Sequence, residues 1–178
     1  MPELTEWNSF YVIVGSSAGA LIGLQFVVLT LVAERPHARM GEASAAFATP
    51  SVVHFGVVLL LSAVMSAPWH GFGPVMVLWG LVGLSGIVYG VVVIRRMRAQ
   101  KAYKPVLEDW LYYGLLPLIP YAMLIVAFFV ARPDPLRSLL VVAAATLMFL
   151  FLGIRNSWDA ITYHVVTKGK EKAKRDEK

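Results

Sequence analysis

The chain has 178 residues, of which 58% are hydrophobic and 15% charged, whereas a soluble globular domain carries about a quarter charged residues. An ordinary soluble domain is therefore excluded, and the surplus apolar side chains must face lipid. The formal charge of +5 lies in segments between and after the apolar runs, which points to membrane orientation and away from nucleic acid. With no cysteine present, disulfides, thiolate catalysis and cysteine-ligated metals are excluded.

The start, MPELTEWNSF, carries Glu3 and Glu6 where a secretory signal would be basic, so the first apolar run is expected to stay as a span. This first span is read from about 10 to 33. Within it Gly15, Gly19 and Gly23 recur every fourth residue and share one helix face, because at 100° per residue they drift only about 80° in total. A face without Cβ atoms suits close packing against another helix, from the same chain or a second copy. Thr30 lies on the glycine face, and Gln25 projects from a different side.

A second span is read from 51 to 67. It is short, and the helix-compatible stretch ASAAFATP before it extends it through a kink at Pro50. The third span, 74 to 94, carries Gly80, Gly83, Gly86 and Gly90, a surface that could complement the glycines of the first. The fourth, 110 to 131, contains Pro117 and Pro120, so a bend is expected where each ring removes a backbone donor. The fifth runs from 136 to 154, with no charged group between Arg137 and Arg155.

Its helix is expected to continue to about residue 166 through the polar motif GIRNSWDAITYH. There Arg155 and Asp159 stand four apart and can meet on one face, while Ile154, Trp158, Ile161 and Val165 form an apolar face. The last residues, 167 to 178, form a mixed-charge tail expected to be disordered and cytoplasmic. The fold expected is all-α, a single five-helix transmembrane domain over residues 1–166. An odd number of spans with dissimilar loops argues against paired transporter halves.

Loop charges set the orientation. With the N-terminus outside, fourteen of the sixteen Lys and Arg residues fall on the cytoplasmic side, leaving only Arg132 and Arg137 outside. The positive-inside rule then favours N-out, C-in, in a plasma or bacterial inner membrane. The aromatic residues agree: Trp7, Tyr11 and Trp69 fall at the outer boundary, and Trp110, Tyr112, Tyr113 and Trp158 at the inner one.

A rise of about 1.5 Å per residue places Thr30, His54, Tyr89, Tyr112, Tyr113, Arg155 and Asn156 near the cytoplasmic boundary, with Gln25 somewhat deeper. Polar groups within spans commonly face a bundle interior or a water-filled cavity. Gln25, Thr30, His54, Tyr89, Arg155, Asn156 and Asp159 are thus candidates for lining a pathway. Gly15, Gly19, Gly23, Gly83, Gly86 and Gly90 are candidates for helix packing.

Chemistry-bearing motifs are absent. His37, His54 and His164 lie on one side without ligand spacing, His70 lies on the other, and no metal or cofactor is expected. No aspartate falls inside a span, and Gly-x-Ser-x-Gly, Walker and zinc-protease signatures are missing, so no catalytic residue is assigned. The reading that follows is a homo-oligomeric channel or permeation pathway for ions, its inner collar attracting or filtering them. The alternative is a non-conducting scaffold or regulatory subunit that docks a cytoplasmic protein through the basic loop, residues 95–104, and the tail.

Overall fold

The computed structural model describes residues 2–33, 42–99 and 107–162. All of its regular elements are helical. A short α1 (Pro2–Glu6) leads into α2 (Asn8–Ala33), followed by α3 (Glu42–Ser66) and α4 (Phe72–Ala99). Next come α5 (Leu107–Asp109), a π-helical turn (Trp110–Leu115) and α6 (Leu118–Val130), which together make one interrupted rod. The last helix is α7 (Pro135–Thr162).

Among the described residues, four apolar helical stretches are long enough to cross a membrane: Asn8–Val28, Phe72–Ala99, Leu107–Val130 and Pro135–Asp159. The apolar part of α3, Pro50–Ser66, is shorter than the roughly twenty residues a span needs, although its helix runs unbroken through Pro50. Residues 34–41, 100–106 and 163–178, where the end of the expected last helix and the expected tail fall, lie outside the described residues.

Local chemistry explains the turns. Asp134 caps α7: its Oδ1 accepts from the Arg137 N–H at 3.0 Å and its Oδ2 pairs with Arg137 Nε at 2.9 Å. Pro135 follows at the first helical position, where a missing N–H costs nothing. At the end of α3, Trp69 folds back so that its indole N–H donates to the Val64 carbonyl at 2.6 Å, satisfying an acceptor that the helix end leaves open.

The helices neighbour one another in the order α2, α3, α7, α6, α4. Helix α7 is central, with 56% of its most apolar stretch buried against 22% for α2 and for α4 at the edges. Phe55, Tyr121, Leu124, Leu139 and Phe149 fill the core between α3, the rod and α7, each no more than 2% exposed. Outward, Leu24, Phe26, Phe129 and Phe151 are each more than half exposed. An apolar surface spread over every edge helix suits lipid, which provides the apolar contacts that water would withhold.

The glycines of α4 face the rod. A Cβ at Gly80 would meet Phe128, at Gly83 Ile125, at Gly86 Tyr121 and at Gly90 Leu118, so each glycine seats one bulky side chain of an antiparallel ridge. The clash is hardest at Gly86, where the Cβ would lie 1.9 Å from Tyr121 Cδ1. These glycines therefore pack within the chain against α6, not against α2. On α2, only Gly15 is closed, with Ser62 Cβ 2.7 Å from where its Cβ would stand; Gly19 and Gly23 have nothing within 4 Å.

Candidate functional site

Polar side chains gather where α7 ends beside the start of the rod, and the cause is a proline. Pro117 has no N–H, so the Tyr113 carbonyl cannot receive its usual helical bond. The backbone answers with a π-turn in which the Leu116 N–H bonds the Leu111 carbonyl, five residues back, at 2.8 Å. That wider ring takes the Leu116 donor away from the Tyr112 carbonyl, and Pro117 offers none in its place. Asn156 supplies the missing donor from α7, its Nδ2 reaching Tyr112 O at 3.4 Å.

A reciprocal bond closes the joint, as the Tyr113 hydroxyl donates to the Asn156 carbonyl at 3.3 Å. Asn156 is wholly buried, and its Oδ1 has no protein partner. Its environment is thus that of a tie between two helices, fitted to a carbonyl freed by the π-turn.

On the adjoining face of α7, Arg155 donates through Nη1 to Asp159 Oδ2 and lies 3.9 Å from Glu108 Oε2 on the rod. Its guanidinium also stacks over the Tyr112 ring, 4.0 Å from the centroid. The expected i,i+4 pair is therefore present, and Tyr112 and Glu108 join it. Both members of the pair stay partly exposed, Arg155 at 36% and Asp159 at 42% of their side chains.

On the opposite flank of α7, Gln25 donates through Nε2 to Ser157 Oγ, and that hydroxyl donates in turn to the Gly153 carbonyl at 2.6 Å. Gln25 sits on the packed side of α2, and its Oε1 is buried without a protein partner. Gly153 makes room for Phe55, whose Cε1 would stand 2.6 Å from an added Cβ. In this antiparallel register Ser51 on α3 falls level with Ser157, and its hydroxyl is likewise buried without a partner.

The other candidates lie apart. His54 is 1% exposed and enclosed by aromatic rings, its centroid 5.9 Å from Phe149 and 6.5 Å from Tyr121; its Nδ1 has no protein partner. Thr30 is exposed on α2 and turns its hydroxyl back onto the Val27 carbonyl at 2.8 Å. Tyr89 is half-buried on α4, the edge helix that packs on the rod. The structure thus joins Gln25, Arg155, Asn156 and Asp159 to α7 and its neighbours, and keeps Thr30, His54 and Tyr89 out of that network.

Ser157, Gly153 and Glu108 belong to the cluster and were not singled out from the sequence. Pro117 was the available signal: a proline inside a span frees carbonyls, and the amide of Asn156, two residues beyond the chain's last apolar run, is a natural donor for one. Comparison of the chain with protein-family models, with curated proteins and with solved structures gives no match.

Proposed function

We propose that this chain is a multi-pass membrane protein, N-terminus outside and C-terminus cytoplasmic, that acts as a homo-oligomeric, non-conducting scaffold subunit. In this reading α3 also crosses the bilayer and is the second of five spans in chain order, its short apolar part matched to the bilayer by burial between α2 and α7. The observation that carries the reading is the free face of α2. Relative to Gly15, a step of 100° per residue puts Gly19, Thr30, Gly23 and Ser16 between about 40° and 100°, all four exposed. The packed residues Tyr11, Ala18 and Gln25 lie on the other side of Gly15.

A small-residue face turned outward at the edge of a bundle suits a second copy, since close backbone approach is what drives membrane helices together. Meanwhile Gln25 and Asn156 hold α7 to its neighbours, which supports a closed protomer. The basic end of α4, with Arg95, Arg96 and Arg98 exposed, and the tail then serve to dock a cytoplasmic protein.

A second reading, an ion channel, draws on the same face: copies closing around α2 would line an axis with Ser16 and Thr30. Full-length protein in detergent should have the mass of a defined oligomer, and the Gly19→Leu/Gly23→Leu variant should be monomeric with an unchanged melting temperature. Reconstituted in liposomes, the wild type should pass neither small cations nor small anions at any voltage. Voltage-dependent flux would overturn the scaffold in favour of the channel, and a monomeric wild type would overturn both.

A further inference from the structure

A groove of about 580 Å³ runs along α7 where it meets the rod. Its floor is apolar, made by Leu116, Met148 and Leu152, Phe151 stands on its wall, and its mouth carries Tyr112, Arg155, Trp158 and Asp159. From Met148 to Asp159 the α7 backbone rises about 16 Å, close to half of the roughly 30 Å hydrocarbon core. The groove is therefore as long as one leaflet and opens at the level where headgroups lie. Phe151 and Trp158 are 65% and 70% exposed, so the wall faces outward, toward lipid.

The charges at the mouth say which lipid. The guanidinium of Arg155 lies over the Tyr112 ring and uses Nη1 on Asp159, and its five N–H donors exceed what that carboxylate takes up, which leaves donors for a phosphate. Beside it stand two carboxylates, Asp159 and Glu108, the latter 78% exposed. A purely anionic headgroup would gain one cation and meet two anions. A headgroup with both a phosphate and a primary ammonium matches all three, the phosphate on Arg155 and the ammonium on Asp159 and Glu108.

We infer that this groove binds one phospholipid with an ethanolamine headgroup, acyl chain along Leu116, Met148 and Leu152 and headgroup across Arg155 and Asp159. The site does not depend on oligomer number or on whether the protein conducts.

Full-length protein in mild detergent, offered an equimolar mixture of dioleoyl phosphatidylethanolamine and dioleoyl phosphatidylglycerol, tests it by native mass spectrometry. Wild type should retain the ethanolamine lipid over the glycerol lipid by about fivefold. The double variant Glu108→Gln/Asp159→Asn should bring that ratio to about one, because both ammonium partners are gone while Arg155 remains. Leu116→Trp, which fills the floor and leaves the charges, should cut retention of both lipids about tenfold. Melting temperatures within a few degrees of wild type establish that each variant is folded. Retention of neither lipid by the wild type, a preference for the glycerol lipid, or an ethanolamine preference that survives Glu108→Gln/Asp159→Asn overturns the proposal.

Discussion

At the residue scale, Asn156 and Pro117 form one device although they lie 39 positions apart in sequence. The proline removes a donor, the π-turn redistributes the bonds, and the amide completes the carbonyl that is left over. Replacing Asn156 with Ala should cost about 1–2 kcal/mol, the range of an interhelical hydrogen bond in a membrane plus part of the penalty for an orphaned carbonyl. In a Pro117→Ala background the rod regains its donor and can return to α-helical bonding. The same Asn156→Ala change should then cost less than half as much. Unfolding titrations of the two single variants and the double variant measure this coupling, and simple additivity would show that the amide and the π-turn are independent. Gln25→Leu should be milder, about 0.5 kcal/mol in the same titration, because Ser157 keeps its bond to the Gly153 carbonyl.

At the element scale, two glycine stripes that look alike have opposite uses. The stripe on α4 is filled by α6, and a methyl group at Gly86 would fall inside the Tyr121 ring, which is itself wedged 4.6 Å from Phe149. Gly86→Ala should therefore destabilise by about 1–3 kcal/mol through overpacking. Gly19→Ala, where a Cβ meets nothing, should leave the unfolding midpoint within about 0.5 kcal/mol of wild type. Thermal melts of the pair read the difference directly. Equal effects would mean that the α4–α6 contact relaxes without cost. The sequence shows spacing in both stripes, but spacing alone does not say whether the opposite wall is Tyr121 or lipid.

At the scale of the whole molecule, the antiparallel path from α2 to α7 puts Trp69 and Asp134 at one end and Arg95 to Arg98 with Arg155 at the other. Since the chain has no cysteine, one introduced by substitution is the only thiol, and labelling reports its side unambiguously. A membrane-impermeant maleimide applied to intact cells should label His70→Cys and Arg132→Cys, and should label Arg98→Cys only after the membrane is opened. The reverse pattern would show the chain to be inserted the other way, with its fold unchanged.

Helix positions and class were legible because hydropathy and helix ends are local. Apolar runs bounded by Asp134–Pro135 and by the Arg95–Arg98 cluster state their own limits, and α7 is described as far as Thr162, inside the polar motif. The π-turn at Trp110–Leu115 was foreshadowed by Pro117 as a bend, without its form. The neighbour order of the helices, the use of Gly86 and not Gly19, and the partners of Asn156 and Gln25 belong to tertiary structure alone. They join residues 35 or more positions apart, and in a lipid-facing chain every helix is apolar on most of its surface. The side that docks is then decided by shape and by the few buried polar groups that must find partners, which only the assembled bundle specifies.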